Sequence, residues 1–372
     1  MIRFLHTADW QIGTQFGQFE ADEAAHLTEA RYETVRRIAG EAAARHVDMV
    51  LVAGDVFDQQ TVSDTAIRRL FGALSDFAGP WVLLPGNHDA ALAESVWTRA
   101  QRLGCVSANV HVVTQPSVVS FDALRCALLC APLTQRTTYD DTTLFFDQAA
   151  TPPEYFRIGL AHGSVTGILP EGVDSTNPID ASRARTARLD YLALGDWHGH
   201  LQVDARTWYA GTHEQDRFRT NEPGFVLDVS LPAPGETPLV TPLPVGKYRW
   251  HKWDEALAVD SDIEALAARL AALGAGDVLK LAVTGAADLA AVERMRLAVD
   301  EARARVRALR FDASDLGVRP SEADLAALGA QGGYLGKVVE RLSALQSDAA
   351  QASVAAEALV LLAQFQREAK PA

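Results

Sequence analysis

Over residues 1–235, short apolar runs alternate with polar turns: IRFLH, DMVLVAGD, WVLLPGNHD, VHVV, SVVSF, LRCALLC, RIGLAHG, YLALGDWHGH, TWYAG and GFVLDVSL. Several of these runs are continuously apolar, as strands covered on both faces are. Helical periodicity precedes the second run, over 21–46, and separates the second from the third, over 65–77. The opening is therefore β-α-β-α-β, followed by closely spaced strands. Two packed sheets with helices outside bury such a set economically. A Pro-rich stretch over 231–246 predicts a domain boundary near 235. A smaller α/β unit over 246–315 follows, with helices over 262–273 and 289–304 and strands at VLKLAVTG and near 306–311. The last segment, 320–372, is Ala-rich. Its Leu335, Val338, Leu342, Leu345, Ala349, Ala352, Ala356, Leu359 and Ala363 repeat at three and four residues, a weak heptad seam. That seam serves either internal packing or a partner helix.

Composition changes this picture little. The 372 residues are 48% hydrophobic and 22% charged, an ordinary globular balance. No apolar run is long enough to span a bilayer, so no membrane association is expected. Polar and acidic residues by position 9 do not fit a secretory signal, and the expected compartment is the cytoplasm. The formal net charge of −14 excludes nucleic-acid binding by bulk charge but leaves room for a local basic patch. The three cysteines do not form a disulfide pattern, and Cys126 and Cys130 read as core residues on one face of a strand.

The chemistry sits where the apolar runs stop. IRFLH leads to Asp9-Trp10-Gln11, VLVAG to Asp55, VLLPG to Asn87-His88-Asp89, IGLA to His162, and YLALG to Asp196-Trp197-His198-Gly199-His200. Ligands of α/β sheets bind outside the carboxyl ends of the strands. Two divalent ions about 4 Å apart can clamp a phosphate and activate a water. Three aspartates packed together without cations would repel one another, and bound metal removes that conflict. His213, after a further strand, reads as structural or exposed. Trp10, Phe57, Trp197 and Tyr209 lie near the motifs, where Trp10 and Trp197 either orient ligands or stack on a nucleobase.

The ordered set GD, GNHD, HG and GDxH resembles the calcineurin-like metallophosphoesterases. HTADWQIG, GDVFD and PGNHD resemble the SbcD- and YhaO-type DNA repair exonucleases within them. The resemblance covers about residues 1–230, and the smaller unit looks like that family's capping domain. It implies a four-layer α/β/β/α sandwich and a two-metal DNA exonuclease or endonuclease. One ion would be held by Asp9, Gln11, Asp55 and His198, the second by Asp55, Asn87, His162 and Asp196. His88 would be a catalytic histidine that binds no metal. It further implies an SMC-like ATPase docked on the C-terminal helices. A homodimer is left open.

Two positions depart from the family pattern. Gln11 stands where Asp-x-His has its histidine, and Asp196 where Gly-His-x-His has its first. The oxygen-richer set should favour Mn²⁺, then Mg²⁺, over zinc. His200 is the alternative to Asp196 as ligand. Candidate backbone contacts are Arg183, Arg185 and Arg188 in SRARTAR. A second basic ridge would be Arg296, Arg303, Arg307 and Arg310, if one helix carries them all. The rival functions are a small-substrate phosphoesterase for nucleotides or cyclic nucleotides, and a non-catalytic DNA-end-binding scaffold.

Overall fold

A computed structural model describes residues 1–168, 176–219, 221–318, 326 and 333–368. The chain divides into two compact units, Met1–Arg249 and Trp250–Ala372. The first contains strands β1 (Ile2–Thr7), β2 (Met49–Val52), β3 (Trp81–Leu83), β4 (Val110–Val112), β5 (Ser117–Phe121), β6 (Cys126–Ala131), β7 (Phe156–His162), β8 (Ser164–Val165), β9 (Pro178–Ile179), β10 (Tyr191–Gly195), β11 (Leu201–Gln202), β12 (Thr207–Tyr209), β13 (Phe225–Leu231) and β14 (Leu239–Pro244). Its helices are α1 (Ala21–Ala44), α2 (Asp64–Ala73), α3 (Val96–Arg102) and the single turn α4 (Arg183–Thr186).

Two six-stranded sheets result, ordered β14-β13-β1-β2-β3-β4 and β11-β12-β10-β7-β6-β5. The continuously apolar runs occupy their centres: every residue of β2, β6 and β10 is buried. Phe4, Leu51 and Val82 of the first sheet pack against Leu128, Ile158 and Ala193 of the second, and Cys126 and Cys130 lie in that layer. The outer face of the first sheet is covered by Val35, Ile38, Ile67 and Leu70 of α1 and α2. The outer face of the second meets Phe146 and Ala184, a thinner layer made of one 3₁₀ turn and α4. The unit is thus a four-layer α/β sandwich. Buried His6 joins its sheets: one ring nitrogen lies 3.2 Å from the Leu194 carbonyl, the other 3.0 Å from the Tyr191 hydroxyl. Burial pulls its pKa down to about 3, so the link is neutral.

The Pro-rich stretch is not a linker. Leu239–Pro244 is β14, paired antiparallel with β13 at the sheet edge, where missing N–H groups cost no ladder bond. The first unit accordingly runs past 235 to Arg249.

The second unit contains β15 (Arg249–Leu257), α5 (Asp260–Ala271), β16 (Asp277–Ala287), α6 (Leu289–Arg303), β17 (Ala308–Asp312), β18 (Leu316–Val318), α7 (Gly333–Leu345) and α8 (Ala352–Glu368). Leu266 and Leu270 of α5 and Met295 and Val299 of α6 cover its four-stranded sheet. Because α6 ends at Arg303 and β17 follows, Arg307 and Arg310 leave the predicted basic ridge. The heptad seam is also broken. Between α7 and α8 the chain turns at Asp348, whose side chain accepts from the Ala350 amide and whose carbonyl accepts from Ala352. Val339 and Leu359 are buried with Leu289, so the inner faces of both helices pack internally. Residues 319–325 and 327–332 and the side chain of Ala363 lie outside the described residues. Among the described residues, no helix is long and apolar enough to cross a membrane.

Candidate metal centre

Strands β1, β2 and β3 run parallel, as do β7 and β10. Each therefore delivers its following loop to its own carboxyl end. The loops after β1 and β2 continue side by side: the Asp9 amide donates to Gly54 O, Gln11 to Asp55 O and Ile12 to Val56 O. The second sheet meets them there. Nδ1 of His162 lies 2.8 Å from Ala53 O, and the Asp196 amide donates to both carboxylate oxygens of Asp9 at 3.1 and 3.2 Å.

Asp9, Gln11, Asp55 and Asp196 all have positive φ, between 41° and 107°. Such backbones cost about 1–3 kcal/mol each away from glycine and persist where surrounding structure enforces them. Gly54 shows why the crowding needs a glycine: a Cβ there would lie 2.2 Å from His162 Nδ1.

The ring orientations can be deduced. Ala53 O can only accept, so His162 carries its proton on Nδ1 and a lone pair on Nε2. That lone pair faces the Asn87 amide at 2.8 Å, Asp55 Oδ1 at 3.6 Å and Asp196 Oδ1 at 3.9 Å. His198 Nδ1 lies 3.4 Å from Asp216 Oδ2, which leaves its Nε2 toward Gln11, 3.2 Å away. Asp9, Asp55 and His162 each offer a donor atom within 4.8 Å of the others. Asp9, Asp55 and His162 thus form one cluster, with Asn87 and Asp196 against His162, and Gln11 against His198.

This donor set fits divalent cations. Burial, then the charges of Asp55 and Asp196, drives the Asp9 carboxyl well above the usual carboxylate range. Burial also raises Asp196, against the pull of His162. With its NH₂ inward, the Asn87 amide donates to His162 Nε2 and both Asp55 oxygens. With its oxygen inward, Oδ1 lies 2.8 Å from His162 Nε2 and joins the acceptors that a bound cation would satisfy. Both states place the same residues around the same point.

His88 lies in the same cleft, its amide donating to Asp55 Oδ1 at 2.9 Å and its Nδ1 2.7 Å from the Asp58 carbonyl. Asp89 is structural: its two oxygens accept from the Gly86 and Phe57 amides, tying the third motif to the second. His200 is outside the group. Its ring lies against Phe225, centroids 4.8 Å apart, and its nitrogens face Glu222. His213 is fully buried and bonded to Arg31 O, a structural role.

Two predicted substrate contacts, base stacking on Trp10 and a backbone contact by Arg183, are corrected. Trp10 is fully buried, donates to Thr7 Oγ1 at 2.9 Å and packs on Trp81, so no base can stack on it. Trp197, by contrast, is half-buried in the cleft wall. Arg183 is 4% exposed, its guanidinium held by Asp141 at 2.8 Å and Asp147 at 2.6 Å. Arg185 and Arg188 line a hollow with Asp190 and Arg206 before β10 begins. The site lies after β10, and a five-residue strand separates its ends by roughly 16 Å.

Sequence reasoning missed Asp216 and Arg31. Burial alone would raise Asp216, but His198 at 3.4 Å, with the charges of Arg31 and Arg217, holds it below the ordinary carboxylate range. Buried Arg31 donates to the carbonyls of Trp10, Glu214 and Asp9, clamping the first motif from behind. For Asp216 a signal existed: β12 is parallel to β10, so the segment after it reaches the same edge.

A family model described as calcineurin-like phosphoesterase matches residues 2–227. Over 244 residues the chain is 29% identical to the uncharacterized metallophosphoesterase YhaO of Bacillus subtilis (strain 168), covering 61% of this chain and 57% of that protein. Over 98 residues it is 42% identical to a subunit of nuclease SbcCD from Rhodobacter capsulatus, covering 24% of this chain and 22% of that protein. The matched stretches thus span little more than half of the first relative and about a fifth of the second. The crystal structure of TT1561 of Thermus thermophilus aligns with 66% of this chain and all of its own, at a TM-score of 0.44 and 13% identity.

Proposed function

The chain belongs to the calcineurin-like phosphoesterase family, and from that premise we propose that it is a two-metal phosphodiesterase acting on DNA. Family membership implies metal-dependent phosphoester hydrolysis; the DNA substrate, Mn²⁺ as the preferred ion and a partner ATPase are our reading. The observation that carries it is the convergence of Asp9, Gln11, Asp55, Asn87, His162, Asp196 and His198 on one cleft that also holds His88. The partial likeness to a nuclease subunit supports DNA as the substrate.

When bound, two divalent ions supply Lewis-acid polarisation of the phosphate and a water of lowered pKa. The chain's own groups do the rest. Asp55, shared by the two proposed ligand sets, holds them in register. Asp58 O fixes the proton of His88 on Nδ1, so any second proton goes to Nε2, 3.9 Å from Asp55 Oδ2. In that doubly protonated form the ring donates from Nε2 to the departing oxygen. The retained donors at both altered motif positions argue against a scaffold role.

The C-terminal hairpin supports the docking of an SMC-like ATPase in this reading. Tyr334, Val354, Leu361 and Phe365 stay exposed on its outer faces.

The test is release of nucleotides from linear single- and double-stranded DNA in Mn²⁺, with EDTA as the control. His88→Ala should lower kcat by about 10²–10⁴ with bound metal unchanged. Turnover of mononucleotides or cyclic nucleotides alone would replace this reading with a small-substrate one.

A further inference from the structure

We propose that Arg217 and Arg219 form a subsite for the phosphate next to the one being cleaved. The proposal rests on the diesterase reading of the same cleft and adds which part of the substrate is gripped.

The cleft that holds Asp55, His88 and Asp196 has a volume of about 200 Å³, and both arginines stand in its wall. Pockets that enclose whole small ligands run to about 300–1,000 Å³. A cleft this small takes one phosphoryl group and its near attachments, so an extended substrate must cross the rim.

The rim there is built. The Gln215 side-chain amide donates to the carbonyls of Arg217 at 2.8 Å and Arg219 at 3.4 Å, and the Arg219 amide donates to Arg217 O at 2.9 Å. These bonds use the backbone and leave both guanidinium groups exposed. The loop is also pressed onto the fifth motif: a Cβ on Gly199 would lie 1.6 Å from Asn221 O. That contact explains the glycine between His198 and His200.

Charge points the same way. Asp55, Asp196 and Asp216 make the interior of the cleft acidic. Arg217 Nε lies 3.3 Å from Asp216 Oδ1, and Asp216 also faces His198. Arg219 has no acidic partner among the described residues. An exposed guanidinium without a counter-ion, beside a phosphate-cleaving centre, matches a phosphate in charge and in fork geometry. A monoester or small diester has no second phosphate to offer it. A nucleic-acid strand does, so the subsite selects an oligonucleotide.

The experiment pairs two readouts on Arg217→Ala/Arg219→Ala, with Arg217→Lys/Arg219→Lys and thermal unfolding as checks on folding. The first is hydrolysis in Mn²⁺ of a single-stranded oligonucleotide and of bis(4-nitrophenyl) phosphate. The alanine pair should lose at least tenfold in kcat/KM on the oligonucleotide, chiefly through KM, and at least fivefold less on the small diester. The second is binding of a phosphorothioate oligonucleotide by fluorescence anisotropy across a salt series. Loss of the one phosphate that the pair grips should flatten the log–log salt slope by about 0.7. Equal losses on both substrates, or an unchanged salt slope, overturn the subsite. If the unaltered protein hydrolyses neither substrate, the diesterase reading falls, and the binding readout alone decides the subsite.

Discussion

The central strands of the second sheet end in opposite chemistry. Beyond the carboxyl ends of β7 and β10, His162 and Asp196 meet Asp9, Asp55 and Asn87, and acceptors face acceptors. Before their amino ends the guanidinium groups of Arg157 and Arg206 are spent on carbonyls. Arg157 donates to the carbonyls of Ala187, Ala149 and Phe146, and Arg206 to those of Leu189, Asp190 and Gly235. The larger hollows, about 440 and 570 Å³, lie at that satisfied end, not at the cleft. Cavity size therefore does not mark the site. A cluster of buried carboxylates and ring nitrogens does, because a cation can satisfy them together. The two arginine segments teach the same lesson: SRARTAR precedes β10 and serves the fold, whereas DRFR follows β12 and borders the cleft.

The contrast can be broken most forcefully at Asp216. Asp216→Ala removes the carboxylate that orients His198, and Mn²⁺ affinity should fall about 10–100-fold. A manganese titration by calorimetry checks this; unchanged affinity would detach His198 from the proposed metal set.

Asp9→Asn sharpens the contrast next. Burial raises the folded pKa of Asp9 above its unfolded value, so its contribution to stability is lost as pH rises through that interval. At neutral pH in EDTA the variant should therefore melt higher than the parent, by about 2–4 °C per kcal/mol of relieved repulsion. Added Mn²⁺ should raise the parent's Tm and raise the variant's much less. A variant that melts lower in EDTA and responds equally to Mn²⁺ contradicts the picture of mutually repelling carboxylates.

The smallest effect is expected at the opposite end. Arg185→Ala/Arg188→Ala should leave kcat/KM on DNA within about twofold and the salt slope unchanged. A loss comparable to that of the Arg217 and Arg219 pair would mean that DNA reaches both ends of the sandwich.

Much of the site was legible in the sequence because its residues follow apolar runs directly. A parallel strand fixes which edge its next residue reaches, so Asp9, Asp55, Asn87, His162 and Asp196 could be gathered without coordinates. For Asp216 that mark is weak, and for Arg31 it is absent. One lies in a loop several residues after β12, the other on a buried face of α1, and only chain crossing brings them to the first and fifth motifs. Proximity along the chain misled for Arg183, which is buried and ion-paired before β10. Trp10 took the packing role, one of the two that its place in a ligand motif left open by sequence. The prolines of 231–246 misled because an edge strand tolerates them.

The alternation of apolar and polar positions by itself determined that the chain builds packed α/β layers, and the residues ending each run determined which groups can meet. Those are local properties of periodicity and strand direction. The three-dimensional fold alone placed Asp196 rather than His200 beside His162, turned Trp10 inward, set Asp216 against His198 and brought Arg217 and Arg219 to the cleft. Those outcomes depend on which distant loops share a few ångströms of space, and side-chain direction across a crowded sheet edge is set by packing rather than by spacing along the chain.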